Sequence, residues 1–343
     1  RTVVGLLMSK RENSYEIIDI VIKEHQERAM LDGQIHNVPA VSELLDEIKK
    51  VLEKDHGPLK KVCVAAAGRS LKTKRAKFEL DIKGKSIVES EDITHLELSA
   101  VQQAQFMLAT DFKDKDSNNY YCVGYSVVNY FLDGEKIGSL LEQSGNVVAV
   151  EVIATFLPKV VVESLMAALQ RSQLELEALT LEPIAAINVL IPPSMRRLNV
   201  ALVDIGAGTS DIAITDEGTI TAYGMVPFAG DEITEALSDH FLLDFPEAEL
   251  LKRQLTFQDT VTITDILGFE TTYTKEEVVQ AIKQPIIDLA NTIAEQILLL
   301  NKTAPKAVML VGGGSMTPDL SRYVAAALQL PENRVAIRGI DAI

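Results

Sequence analysis

The chain has 343 residues, of which 47% are hydrophobic and 24% charged, enough for two or three soluble domains with sizeable cores. Its 49 acidic against 33 basic residues give a formal net charge of −16, whose average field repels nucleic acid and anionic membrane while leaving room for a local basic patch. Two cysteines, Cys63 and Cys122, cannot build a disulfide framework, and Cys63 lies in the apolar run VCVAAAG, which fits a reduced cytoplasmic setting.

The longest apolar region, Val147 to Met166, is interrupted by Glu151, Pro158, Lys159 and Glu163, so it does not read as a membrane span. No signal-peptide pattern stands at the N-terminus. The chain enters strand-like sequence at Arg1 and stops at RGIDAI without a cap or polar tail, so both ends are expected to be cut.

In chain order, Thr2 to Met8 and Tyr15 to Ile22 are β-rich runs joined by SKREN, an antiparallel hairpin. A helix follows, with Asn37 as cap, Pro39 in its first turn, and Val41, Leu44, Leu45, Ile48, Val51 and Leu52 on one face. Lys61 to Ala66 reads as a short buried strand and Lys72 to Ile82 as an exposed one. From about Lys85 a helical stretch gives way to the strand-like YYCVGYSVVNYFLDGEKIG, with an Asp133-Gly134 turn, and NVVAVEVIATFL. Helices are expected at Lys159 to Arg171 and Pro183 to Leu190, flanking the strand LELEALTL.

NVALVDIG, TSDIAITDEG and TITAYGMVPF then form three strands, followed by helices around Asp231 to Phe241 and Pro246 to Leu255. Lys275 to Asn301 is helical, with a kink or boundary at Pro285. Last come the strand AVMLV, Gly312 to Gly314, and a helix through Leu328. The opening hairpin and the TSDIAITDEGTITAYGMV hairpin form a loose internal repeat, each followed by a helix. By that repeat, a partner of the DIGAGT loop is expected just before Arg1.

Two glycine-rich turns carry the chemistry. In LVDIGAGTSDIAI, Gly206 and Gly208 let the backbone turn sharply and bring N–H groups to an anion, and Thr209 adds a hydroxyl. Asp204 ends the buried strand and suits a magnesium ion that keeps several waters. A plain hairpin with a glycine turn also fits the loop alone, although two bracketing aspartates weigh against it. In VMLVGGGSMTPDL, three glycines between a strand and a helix suit close approach to a flat ligand or a phosphate at a helix N-terminus. A Rossmann turn fails on the missing glycine spacing. A P-loop fails because the Gly-Lys-Ser at 84–86 has Glu79 where the first glycine belongs.

Together these turns resemble the phosphate and adenosine motifs of the actin-like ATPases, which include actin, the seventy-kilodalton heat-shock chaperones, sugar kinases, FtsA and MreB. Within that superfamily the chain is most similar to the FtsA cell-division family, through ERAMLDGQIHNVPAV, VCVAAAGRSLKT, LEPIAAI, LVDIGAGTSDIAI, VPFAGDEIT and VMLVGGGSMTPDL. The related PilM pilus proteins share much of the pattern. The resemblance implies an α/β fold of the actin-like, ribonuclease H-like type, two lobes around a nucleotide cleft. It implies a first lobe over 1–84 and 158–198, an inserted α+β subdomain over 85–157, and a second lobe over 199–343 with a smaller subdomain at about 231–283.

Carried over by resemblance, Asp204 is the magnesium-associated aspartate, holding the ion through water. Gly206, Ala207, Gly208 and Thr209 surround the β and γ phosphates, and Gly230 of VPFAGDEIT is a further nucleotide-facing position. Glu182, in LEPIAAI, stands at the hinge near the nucleotide as the second catalytic candidate, where an exposed charge at a helix start fits equally. Glu249 and Lys252 match a pair used against ribose and adenine, but also fit an ordinary solvated helix face. Gly312, Gly313, Gly314 and Ser315 match the adenosine loop. The implied cofactors are ATP and Mg2+. The implied partners are a filament of like subunits and a tubulin-like division protein such as FtsZ, without nucleic acid. Membrane contact is implied only through segments outside this chain, and localisation is cytoplasmic or peripheral at the inner membrane face.

The implied role is a nucleotide-dependent polymerising scaffold or adaptor of cell division. A PilM-like pilus-assembly adaptor is the alternative, and a small-molecule kinase a more distant one because no substrate base is marked. The residues assign no hydrolysis, so at most a slow Mg-dependent ATPase is expected. The basic run RSLKTKRAK reads as a solvated strand face rather than a nucleic-acid site.

Overall fold

A computed structural model of the chain describes residues 2–12, 15–25, 30–31, 34–67, 71–84, 87–111, 120–192 and 194–338. Parts of several expected features lie outside these residues: much of ERAMLDG, Gly68 of VCVAAAGRSLKT, Arg69 and Ser70 of the basic run, Lys85 and Ser86, and the last five residues.

The first half runs β1 (Thr2–Lys10), β2 (Tyr15–Glu24), β3 (Met30–Leu31), β4 (Gln34–Ile35), α1 (Val38–His56), β5 (Lys61–Ala66), β6 (Lys72–Asp81), α2 (Ser90–Asp111), β7 (Tyr120–Leu132), β8 (Glu135–Ile137), β9 (Val147–Pro158), α3 (Lys159–Arg171), β10 (Glu175–Leu181) and α4 (Glu182–Leu190). The second half runs β11 (Val200–Ile205), β12 (Ser210–Asp216), β13 (Thr219–Val226), α5 (Gly230–Phe241), α6 (Phe245–Gln254), β14 (Thr260–Thr264), β15 (Glu270–Thr274), α7 (Lys275–Ala281), α8 (Lys283–Asn301), β16 (Ala307–Val311), α9 (Leu320–Ala327) and β17 (Val335–Ile337).

The organising element is the five-stranded sheet β13-β12-β11-β16-β17, antiparallel through β11 and β12 and parallel from β11 to β17. Its central strand, Val200–Ile205, is buried on both faces, which is why it reads as an unbroken apolar run until Asp204. Ala201, Val203 and Ile205 pack with Ile212 and Ile214 against α5, α8 and α9 through Ile233, Leu237, Ile286, Ile293 and Val324. Leu202, Ala213 and Tyr223 meet Ile187 of α4 and Ile191 just after it on the opposite face. Each fully buried valine, leucine or isoleucine among them contributes about 1.5–3 kcal/mol relative to exposure.

The first half supplies the same parts as two separate pairs, the hairpin β2-β1 and the parallel pair β5-β10, with no strand bonded between them among the described residues. The hairpin followed by α1 parallels β12-β13 followed by α5, so the repeat expected from sequence is present in these elements. The Asn37 side chain accepts from the Ala40 N–H at 3.1 Å, as its capping position requires. Gly5 admits α1: a Cβ there would stand 2.3 Å from Ile48 Cγ2. The expected burial of β5 does not hold, because its residues alternate between exposed and half-buried and Cys63 is exposed. With β10 as its one strand partner among the described residues, β5 lacks the second neighbour that buries β11.

A second sheet, β6-β9-β7-β8, is covered on one face by α2 through Leu96, Ala100, Ala104 and Leu108. It recruits β6 from Lys72 onward, upstream of the texture change at Lys85, because β6 pairs along its whole length with β9. This sheet meets the five-stranded sheet where Thr219 donates to the Val127 carbonyl at 2.6 Å and Ser126 and Tyr223 share a hydrogen bond of 3.1 Å.

Sequence reading passed over the hairpin β14-β15, whose Val261 and Ile263 join the core of α5 to α8. The alternation TVTIT was its signal. In the long segment Lys275 to Asn301 the break falls at Ile282, three residues before Pro285, so the proline sits in the first turn of α8 where its missing N–H costs nothing. Among the described residues no helix is long and apolar enough to cross a membrane.

Candidate functional site

The turn between β11 and β12 is closed by Gly206 N–H donating to the Thr209 carbonyl at 2.9 Å, and it sets Asp204 directly across from Asp211. Thr209 and Asp211 are buried. The N-terminus of α5 clasps this turn, with Gly230 N–H donating to the Gly206 carbonyl at 3.1 Å and Asp231 N–H to the Ala207 carbonyl at 2.7 Å. The glycine run after β16 comes from the neighbouring strand onto the same point. A Cβ on Gly312 would lie 2.3 Å from Asp204 Oδ1 and 2.5 Å from the Ile205 carbonyl oxygen, and φ there is +81°. A Cβ on Gly314 would lie 3.0 Å from the Gly206 carbonyl oxygen, and one on Gly230 3.7 Å from Gly314 Cα. Gly230, Gly312 and Gly314 are therefore required by one close approach of three backbone segments beside Asp204.

Behind Gly230 stands a buried polar network. Lys252 Nζ donates to the Gly230 carbonyl at 2.9 Å and to Thr234 Oγ1 at 2.7 Å, and pairs with Glu249 at 2.7 Å. Thr234 donates to Glu249 Oε2 at 2.7 Å, and Arg253 donates to Glu249 Oε1 at 3.0 Å while its other arm reaches Glu24 at 2.8 Å. Glu249 is only 7% exposed, so the helix-face alternative for Glu249 and Lys252 is not what the structure shows. The network ties α5 to α6 and fixes the carbonyl of Gly230, one of the residues at the glycine convergence.

Glu182 opens α4 immediately after β10. Burial comes first, and the charges of Asp204 and Asp211 second, in pushing its carboxyl up to about 8. Burial also raises Asp204. Three carboxyl groups from β11, β12 and α4 thus share a recess of low dielectric, where a cation lowers their mutual cost. Among the described residues no three His, Cys, Asp or Glu side chains stand close enough to cage a metal alone.

One expectation is corrected. Gly313 to Met316 form a single 3₁₀ turn, and α9 starts only at Leu320. Pro318 and the left-handed Asp319 (φ +61°) separate the two, so the glycines do not stand at an α-helix N-terminus and the dipole argument does not apply to them. Within the turn, Ser315 donates through N–H and Oγ to the Gly312 carbonyl at 3.2 and 2.7 Å, which fixes the shape of the loop. Sequence reading gave no role to Asp211 or Thr234. Asp211 was visible as the mirror of Asp204, and Thr234 as one helical turn beyond Gly230.

The family model "Cell division protein FtsA" matches residues 201–340. The FtsA of Bacillus subtilis (strain 168) is 26% identical over 181 residues, 50% of this chain and 41% of that protein. The FtsA of Pseudomonas aeruginosa is 39% identical over 69 residues, 20% of this chain and 16% of that protein. The chain thus aligns with less than half the length of these relatives. Among solved structures, the PilM-PilN type IV pilus biogenesis complex gives a TM-score of 0.69 at 15% identity, covering 98% of this chain and 88% of that one. MreB5 of Spiroplasma citri bound to ADP gives 0.50 at 15% identity, covering 93% and 75%. Residues 201–340 are thus similar in sequence to the FtsA family, and the chain has the fold of the actin-like ATPases.

Proposed function

We propose that this chain binds ATP with Mg2+ between the 206–209 turn and the 312–315 loop, and that binding governs its work as a polymerising scaffold or adaptor in bacterial cell division. The observation that carries this reading is the close approach of the Gly230, Gly312 and Gly314 backbones to Ile205 and Gly206, with Gly312 against the Asp204 carboxyl, which leaves no room for a Cβ at those three positions. Asp204 would hold the ion through water, with Gly206, Ala207, Gly208 and Thr209 at the phosphates. Gly312 to Ser315 and the Glu249–Lys252 network would serve the nucleoside. The bound ion would neutralise phosphate charge beside the carboxyl groups of Glu182, Asp204 and Asp211. These residues otherwise orient the ligand and exclude water, and ADP in the similar MreB5 structure supports a nucleotide ligand.

In this reading two lobes flank the cleft, the sheet of β6 to β9 forms the inserted subdomain, and the partners are further copies of the chain and a tubulin-like division protein such as FtsZ, on the cytoplasmic side of the membrane. The higher TM-score and coverage of the PilM-PilN complex favour a second reading, an adaptor of PilM type that keeps the fold and binds partner protein. Sedimentation of the full-length protein with and without Mg-ATP separates them. Nucleotide-dependent assembly supports the scaffold, and assembly indifferent to nucleotide supports the adaptor.

A further inference from the structure

The two halves of the chain are joined on both faces of the five-stranded sheet, by different means. On one face the contact is apolar: Val128 of β7 and Ile187 of α4 share a core with Leu202, Ala213 and Tyr223. On the other face, where α6 gives Ala248 and Leu251 to the core, the contact is ionic. There Arg253 of α6 reaches Glu24 at the end of β2, 229 residues away in sequence. Its Nη1 donates to Glu24 Oε1 at 2.8 Å and its Nε to Glu249 Oε1 at 3.0 Å, so one planar guanidinium holds a carboxylate from each half.

Both ends of this bridge are anchored. In the first half, Glu24 stands opposite Thr2 in the β1-β2 ladder, its neighbour Lys23 pairs with Glu47 of α1 at 3.1 Å, and His25 just after it is buried. In the second half, Glu249 is held by Thr234 and Lys252, and Lys252 holds the Gly230 carbonyl. The Gly230 N–H in turn holds the Gly206 carbonyl in the turn beside Asp204. A pull on Arg253 is thus carried through Glu249, Lys252 and Gly230 to that turn. The middle of the bridge is wet by contrast, with the Arg253 side chain 47% and that of Glu24 42% exposed. Water and salt compete for such a pair, so it can break and re-form while both anchors stay in place.

We propose that Arg253 is a releasable strap between the two halves, and that its hold on Glu24 slows escape of the ligand from the site beside Asp204. The strap stands on the geometry of Arg253; that the ligand it retains is Mg-ATP rests on the function proposed above. Fastened, Arg253 ties β2 to α6. Released, it keeps Glu249 and lets go of Glu24, and the halves part about the apolar contact at α4.

The test uses the full-length protein in two measurements. The first is the distance distribution, without nucleotide, between spin labels on Lys50→Cys of α1 and Glu247→Cys of α6, both exposed positions, with the other cysteines replaced by serine. Glu24→Gln, nearly isosteric and exposed, and Arg253→Lys, which keeps the charge without the fork, should each shift the distribution to longer distances, as about 1 M salt does for the parent. Glu24→Gln should add no further shift to Arg253→Lys. Distributions unchanged in both variants, or shifts that add in the double variant, would overturn the strap. The second is the rate of Mg-ATP release, expected to be about two- to fivefold faster in Glu24→Gln than in the parent, with no such gain in the Arg253→Lys background. Equal release from parent and Glu24→Gln would overturn the retention of ligand. A parent that binds no Mg-ATP would overturn the nucleotide reading and retention with it, while the distances still decide the strap.

Discussion

At the scale of single residues, the glycines around Asp204 make opposed predictions for neighbours in sequence. Gly312→Ala drives a Cβ to 2.3 Å from Asp204 Oδ1 at a φ of +81°, whereas an added Cβ on Gly313 meets nothing within 4 Å. We expect Gly312→Ala to cost about 2 kcal/mol or more, and Gly313→Ala to stay within about 1 kcal/mol of the parent, read from urea midpoints. Glu182 gives a pH signature. Its carboxyl is raised from the ordinary 4.5 to about 8, so between those values the unfolded chain ionises while the folded chain holds its proton. Stability from this group therefore falls as pH rises through that window and levels off above it. Below pH 4.5 both states carry the proton and the effect vanishes. Glu182→Gln removes the titration, so its stability advantage over the parent should grow between pH 5 and pH 8, and parallel pH profiles would contradict the placement of this carboxyl.

At the scale of elements, α4 carries Glu182 to the recess and anchors itself on the five-stranded sheet through Ile187 and Ile191. Ile187→Ala should cost about 2–5 kcal/mol and flatten the pH dependence of Glu182 by admitting water to the recess. Between α5 and α6, Lys252→Met strips the amine from a Glu249 that is 7% exposed. Arg253 still reaches that carboxylate at 3.0 Å, so the expected loss is about 1–3 kcal/mol in a denaturant titration, less than for an isolated buried charge. These elements also mark how far sequence reached. The β11 run, the Asn37 cap and the apolar face of α8 follow from local patterning and stand where the pattern set them. Three features did not follow from it: the burial of Glu249 beside a half-buried Lys252, the exposure of β5, and the gap between the glycine run and α9. The first two depend on which strands and helices become neighbours, which spacing along one element does not encode. The third was written in Pro318 and outweighed by the expectation of a helix directly after the glycines.

At the scale of the whole molecule, the two halves repeat one plan, a hairpin, a helix and a parallel pair, and α4 passes between them with the carboxyl that faces Asp204 and Asp211. The glycine convergence was legible in sequence as two separate loops, because each loop's composition betrays its backbone. That both meet Gly230 and the Thr234 network became visible only in three dimensions. A cradle that needs contributions from β11, α5 and β16 should respond to its ligand as a unit, so Mg-ATP should raise the melting temperature of the full-length protein, and Asp204→Ala should lose most of that rise. The most direct measurement is isothermal titration of the full-length protein with ATP, with and without Mg2+. The account predicts saturable one-to-one binding that weakens at least about tenfold without the ion or in Asp204→Ala. No binding, or an affinity unchanged by both, would contradict it.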